Sequence, residues 1–242
     1  LKLPVKIFDT PEKLAESFAK EFSDRLKVDS RKKDKINVAL SGGSTPKLFF
    51  QILADKYKDK INWRKINLFW ADERCEPPEN PESNYGMTKD FLLDYIPIPA
   101  KNIHRVRGED EPEKEAIRYS REISDNVNFK NEFPQFDIIL LGIGEDGHTA
   151  SIFPNQIQLM ESPKICGVSV HPASGQKRIT LTGRVINNAS YIAFLVTGKG
   201  KAKVVSQNLN SSVESNNYPV AKIAPVDGIL EWYLDKDAAG YL

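Results

Sequence analysis

The residues of this chain best equipped for chemistry stand in Gly142-Ile143-Gly144-Glu145-Asp146-Gly147-His148-Thr149-Ala150-Ser151, directly after the apolar run Ile138-Ile139-Leu140-Leu141. An imidazole can act as a general base near neutral pH, and a carboxylate beside it fixes its tautomer. Asp146 and His148 are therefore read as one catalytic unit, with His148 taking a proton and Asp146 orienting the ring. The run before them lacks polar alternation, which suits a strand covered on both faces of a parallel sheet. Ligands in open α/β sheets gather just beyond the carboxyl ends of such strands. Gly142, Gly144 and Gly147 also satisfy the dinucleotide pattern G-x-G-x-x-G, but Pro154 interrupts the helix that this pattern requires next. A histidine after a glycine turn can also be only a loop side chain, so the ends of the other strands have to be weighed with it.

Three further strand ends carry ligand-type residues. Ile36-Asn37-Val38-Ala39-Leu40 runs into Ser41-Gly42-Gly43-Ser44-Thr45-Pro46, where Thr45 is expected to cap a helix opened by Pro46. Backbone N–H groups at such a helix start converge on negative charge, and the Ser44 and Thr45 hydroxyls add donors. The loop lacks the lysine and hydroxyl residue of a nucleotide triphosphate site, and the same residues also fit a merely structural turn. Ile66-Asn67-Leu68-Phe69-Trp70 ends in Ala71-Asp72-Glu73-Arg74-Cys75, and Tyr191 to Val196 ends in Thr197-Gly198-Lys199-Gly200-Lys201-Ala202, a second helix start with lysines. Gln176 to Thr182 brings Arg178 where it could reach an anion. Repetition of one pattern at several strand ends points to one shared crevice.

The elements that must position these groups follow from pattern and punctuation. Thr10 caps a helix with Pro11 at its first position and Leu14, Phe18, Phe22 and Leu26 on one face. Asp29 to Lys35 reads as a solvated turn. Ser83 caps a helix running to about Tyr95, Ile103 to Val106 is expected as a short strand, and Glu113 to Ile123 as a mostly solvated helix. Cys166 to Val170 is a further strand, and the remainder closes with strand and helix elements.

At 242 residues the chain suits one large α/β domain. Lys+Arg number 34 against Asp+Glu 33, a formal charge of +1. No global field points to nucleic acid or membrane, so an anion must be bound locally. Cys75 and Cys166 are far apart, as expected of free thiols in a reducing compartment, and His104, His148 and His171 lack metal-ligand spacing. The N-terminal stretch Leu1 to Phe8 has neither a secretion signal's layout nor the length of a membrane span. The expectation is a cytoplasmic protein needing no metal or other cofactor and no obligate protein partner.

Taken together and in order, Ser41-Gly42-Gly43-Ser44-Thr45-Pro46, Ala71-Asp72-Glu73-Arg74, the Gly142 to Ser151 loop, Arg178-Ile179-Thr180-Leu181-Thr182 and Gly200-Lys201-Ala202 give the chain a family likeness. It resembles the 6-phosphogluconolactonases along almost its whole length. That resemblance implies a single three-layer αβα domain over residues 1–242, with a mainly parallel, Rossmann-like sheet of the sugar-phosphate isomerase and lactonase type. It also implies hydrolysis of 6-phospho-D-glucono-1,5-lactone to 6-phosphogluconate, in the oxidative pentose phosphate pathway. His148 and Asp146 would be catalytic. Gly42, Gly43, Ser44, Thr45, Asp72, Arg74, Arg178 and Lys201 would bind substrate, chiefly its phosphate, and backbone N–H groups of the Gly142 to Gly147 loop are candidate oxyanion donors.

Three rivals stand beside this reading. Glucosamine-6-phosphate deaminases share the plan, but their pattern resembles Asp-Glu-Tyr at Asp72-Glu73-Arg74 and carries a glutamate where this chain has Phe153. A noncatalytic sugar-phosphate sensor would have no need of His148. A Cys75 nucleophile activated by Arg74 lacks a histidine near it in sequence.

Overall fold

The computed structural model describes residues 4–242; Leu1 to Leu3 of the N-terminal stretch read above lie outside the described residues. In chain order the elements are β1 (Val5–Phe8), α1 (Pro11–Asp29), β2 (Ile36–Leu40), α2 (Ser44–Ile52), β3 (Ile66–Trp70), β4 (Asp72–Arg74), α3 (Asn84–Phe91) and α4 (Pro112–Asn126). There follow β5 (Phe129–Lys130), β6 (Phe133–Pro134), β7 (Ile138–Leu141), β8 (Cys166–Val170), β9 (Lys177–Leu181), α5 (Gly183–Asn187), β10 (Tyr191–Val196), α6 (Ala202–Leu209) and β11 (Ile229–Asp235).

Six strands form one parallel sheet in the order β1-β11-β10-β7-β2-β3. Every residue of β2, β3, β7 and β10 is buried, which is why these segments carry apolar runs rather than alternation. From β2 the chain steps outward to β3 and later returns to the other side of β2 with β7, so the β2/β7 boundary is the switch point where a crevice opens. Because all six strands point the same way, the loops after β2, β3, β7 and β10 meet at one edge. The α/β class and the mainly parallel sheet are those expected from the sequence.

One face of the sheet is covered by α1 and α2. Thr10 Oγ1 accepts from the Lys13 N–H at 3.3 Å and Pro11 occupies the first turn. Phe18 packs on Phe49 and Tyr233 with ring centroids 5.0 and 4.8 Å apart, and Phe22 meets Phe49 edge-on at 5.2 Å. Burying each such ring is worth about 1.5–3 kcal/mol. On the alternate positions Trp232 stacks on Phe194 at 4.2 Å, both fully buried, so the sheet's other face is covered too.

A second, antiparallel sheet in the order β4-β9-β8 hangs from the end of β3. Ala71 joins the two, donating its N–H to Leu40 O at 2.8 Å and accepting from Leu181 N at 2.8 Å.

Several local expectations need correction. The helix after β2 begins at Ser44 rather than Pro46, and its N-cap is Gly43 (φ 109°) rather than Thr45, whose hydroxyl is instead 2.7 Å from that of Thr197. The helix capped by Ser83 ends at Phe91 and is followed by one 3-10 turn, Leu93–Tyr95. Ile103 to Val106 is not a strand: only Ile103 bridges, to Leu68, before the buried His104 ring turns onto Phe69 and Glu122. α4 is longer than expected and buries Glu115, Ala116, Tyr119 and Ile123, with the Tyr119 hydroxyl bonded to the N–H and C=O of Trp70.

Candidate active site

The loop after β7 is a closed turn. Gly144 N donates to His148 O at 2.9 Å, Gly147 N to Gly144 O at 3.0 Å, and Thr149 Oγ1 reaches back to Gly142 O at 2.9 Å. Gly147 holds φ 83°, and a side chain there would strike the Tyr218 ring; a Cβ at Gly144 would strike the His148 ring and the Asp146 carboxylate. Gly144 is thus required by close approach, and Gly147 by conformation as well. Because Gly144 and Gly147 already donate within the turn, these two of the backbone N–H groups put forward as oxyanion donors are engaged.

Within the turn, Asp146 Oδ1 lies 2.6 Å from His148 Nδ1 and also accepts the His148 N–H at 3.1 Å. Burial pushes the Asp146 carboxyl up, but the hydrogen bond and charge of His148 outweigh it and hold the group at about 2. With an ionised acceptor at Nδ1, the neutral ring carries its proton there, and Nε2 is left free to accept one. Phe153, fully buried, backs the ring with centroids 4.7 Å apart.

His148 lines a small polar cleft of about 120 Å³ with Gly42, Asp72, Asn84, Arg74 and Arg178. A larger cleft of about 700 Å³, between α4 and β8, is lined by residues such as Ala116, Ile117, Leu159 and Val168 and holds no histidine. The small cleft sits at the β2/β7 switch point, where the chemistry was expected.

Two guanidinium groups face this cleft from directly opposed positions, Arg74 on β4 and Arg178 on β9. Like charges placed opposite on a sheet repel. Arg74 Nη1 donates to Glu82 O at 2.6 Å, while its buried Nε has no acceptor. The Arg178 side chain, on a residue 9% exposed, donates among the described residues only to Gln176 Oε1, at 3.3 Å, and stands 5.7 Å from the Phe153 ring. Among the described residues no carboxylate forms a salt bridge with either. Burial, then the charge of Arg74, pulls the Arg178 pKa down from its ordinary value. An anion between the two would relieve both the repulsion and the orphaned donor.

Asp72, 5% exposed, accepts from Ser151 Oγ at 2.6 Å on one oxygen, and its other oxygen takes no protein donor among the described residues. Gly43, Ser44, Thr45 and Lys201 do not line this cleft. They stand at the starts of α2 and α6, whose loops are tied together by the Thr45–Thr197 contact. Asn84 was missed by sequence reasoning; its Nδ2 donates to Asp72 O at 2.9 Å. Nothing in the sequence beyond its place after the Ser83 cap singles it out.

Two rivals weaken on this geometry. Burial pushes the Cys75 thiol up to about 11, leaving it protonated and a poor nucleophile. Phe153 fills the space between His148, His171 and Arg178 with an apolar ring, where the deaminase pattern carries an acid. No group of three or more His, Cys, Asp or Glu among the described residues could hold a metal ion, and no helix among them is long and apolar enough to cross a membrane.

Residues 9–232 match the family model described as glucosamine-6-phosphate isomerases/6-phosphogluconolactonase. The chain is 44% identical over 240 residues to a 6-phosphogluconolactonase of Aggregatibacter actinomycetemcomitans, covering 97% of this chain and 98% of that one. It is 42% identical over 238 residues to a 6-phosphogluconolactonase of Haemophilus influenzae, with the same coverage. Among solved structures, the 6-phosphogluconolactonase of Trypanosoma brucei superposes with a TM-score of 0.87 at 25% identity, covering 100% of this chain and 99% of that one.

Proposed function

Since the chain belongs to the glucosamine-6-phosphate isomerase/6-phosphogluconolactonase family, we propose that it is a lactonase hydrolysing 6-phospho-D-glucono-1,5-lactone to 6-phosphogluconate. We assign the chemistry to His148 and Asp146 and the grip on the phosphate to Arg74 and Arg178. The observation that carries this reading is the opening of the Asp146–His148 pair onto the same cleft as two opposed guanidinium groups that have no carboxylate partner among the described residues.

The reaction then runs as follows. His148 Nε2 takes a proton from a water as its oxygen attacks the lactone carbonyl carbon, and Asp146 stabilises the imidazolium so formed. The tetrahedral oxyanion collapses, the bond from that carbon to the ring oxygen breaks, and the imidazolium returns its proton to that oxygen. One water is consumed and the hydroxy acid leaves. General-base assistance contributes about 10²–10⁴-fold. The phosphate, held away from the reacting carbon, orients the ring against the water.

Gly42 and Asp72 line the cleft and would contact the sugar, while Gly43, Ser44, Thr45 and Lys201 at the adjoining helix starts would extend the anion site. Phe153 favours the lactonase over the deaminase. The unpaired thiols Cys75 and Cys166 suit a cytoplasmic enzyme working as one domain with a small-molecule substrate. The test is a dehydrogenase-coupled assay on freshly made lactone, corrected for spontaneous hydrolysis. Acceleration proportional to enzyme supports the reading; its absence with folded protein refutes it.

A further inference from the structure

Glu73 lies between two cleft residues in sequence but faces away from the cleft. On the three-residue strand β4, Asp72 and Arg74 line the cleft, while the Glu73 side chain points to the start of α3, as strand alternation requires. It is 1% exposed and forms no salt bridge among the described residues. Its two oxygens instead accept four donors: Arg74 N at 2.8 Å, Asn84 N at 2.7 Å, Tyr85 N at 2.7 Å and Ser83 Oγ at 3.2 Å. The carboxylate thus receives the first N–H groups of α3 and the backbone of Arg74 at once, the arrangement that a helix N-terminus favours for an anion.

The consequence reaches the guanidinium. Arg74 Nη1 is anchored on Glu82 O, in the lead-in to α3, and Ser83 caps that helix by accepting the Gly86 N–H at 3.0 Å. The backbone of Arg74 and the carbonyl that fixes its side chain are therefore both referred to one buried carboxylate. Asn84, whose N–H Glu73 accepts, is also a cleft residue. Burial pushes the Glu73 carboxyl up to about 7, against the three backbone N–H groups that hold it down. Losing any one donor tips that balance further toward protonation.

We propose that Glu73 is the positioning residue of the anion site, a buried carboxylate that holds the start of α3 against β4 and thereby aims Arg74 into the cleft. It touches no substrate. The proposal rests on the reading of Arg74 as a phosphate ligand given above. Glutamine at position 73 keeps one acceptor oxygen but turns an NH₂ toward backbone N–H groups, so at least one donor loses its partner.

The test is a double-mutant cycle of Glu73→Gln and Arg74→Ala, read by calorimetry with 6-phosphogluconate and by separate KM and kcat values for the lactone. Glu73→Gln is expected to weaken product affinity and raise KM by about 5- to 20-fold with kcat within about threefold. The double variant should bind no more weakly than Arg74→Ala alone, because Glu73 acts through Arg74. Ser83→Gly removes the hydroxyl donor while keeping a tolerated helix cap, so it should show the same pattern at about 2- to 5-fold. It carries the comparison if Glu73→Gln fails to fold.

Additive losses, a fall in kcat matching the rise in KM, or unchanged affinity in Glu73→Gln with Arg74→Ala impaired would overturn the positioning role alone. Unchanged affinity in Arg74→Ala would overturn the phosphate reading and this inference with it.

Discussion

Replacing Arg178 by glutamine separates binding from folding, because the structure makes opposite demands on that side chain in the two processes. Without ligand, Arg178 is buried opposite Arg74, and no carboxylate among the described residues is salt-bridged to it. Its removal relieves about 0.2–1 kcal/mol of like-charge repulsion across the strands. It also gives up about 0.5–1 kcal/mol of contact with the Phe153 ring, so the two nearly offset. With 6-phosphogluconate bound, a charged hydrogen bond worth about 1.5–3 kcal/mol is lost, which weakens affinity by about 10- to 150-fold.

Thermal unfolding reads both sides of this comparison. At product concentrations 100 times its Kd, the wild type gains about 2.7 kcal/mol, or roughly 5–10 °C in Tm for a chain of this size. A variant binding 100-fold more weakly gains about 0.4 kcal/mol at the same concentration, about 1 °C. The expected result is an unliganded Tm within a few degrees of wild type and a ligand-induced shift that nearly vanishes, with calorimetry giving the matching Kd. A retained shift, or an unliganded Tm lower by more than about 8 °C, would refute the assignment of Arg178 to an anion site rather than to the core.

Three other substitutions have expected outcomes. If Lys201 extends the anion site as proposed, Lys201→Ala should weaken 6-phosphogluconate binding by about tenfold with a smaller effect on kcat; calorimetry beside steady-state kinetics checks it. Asp146→Asn should lower kcat by about 10- to 150-fold through loss of a charged hydrogen bond to the imidazolium. The same substitution bears on acid stability. The Asp146 carboxyl is depressed to about 2, so the stability it contributes is present above its unfolded value near 3.8 and is lost as pH falls from there toward 2. Its side chain is 43% exposed and screened, so Asp146→Asn should make acid unfolding over that window only slightly shallower. Gly144→Ala should leave the fold in place by circular dichroism but abolish most activity, because the added methyl occupies the place of the His148 ring.

Much of this was legible in the sequence because the signals were local. The four-residue recurrence of Leu14, Phe18, Phe22 and Leu26 behind a Thr10 cap gave α1, and the unbroken apolar run Ile138 to Leu141 gave a doubly covered strand. Polar residues at the ends of several such strands gave the crevice, since parallel strands bring those ends to one edge. What escaped depends on partners distant in sequence. Thr45 reads as a cap, yet its hydroxyl pairs with Thr197, and the helix is capped two residues earlier, by Gly43. The opposition of Arg74 and Arg178 requires the register of an antiparallel sheet that neither segment announces. Glu73 looks like part of a charged surface cluster; only the fold turns it inward onto α3.

If His148 draws the proton from the attacking water, the variant His148→Ala loses the base and keeps the anion site. Its kcat on fresh 6-phosphogluconolactone, corrected for spontaneous hydrolysis, should fall by about 10²–10⁴-fold while 6-phosphogluconate binds with unchanged affinity. A kcat near that of the wild type in a folded, product-binding variant would show that another group takes the proton.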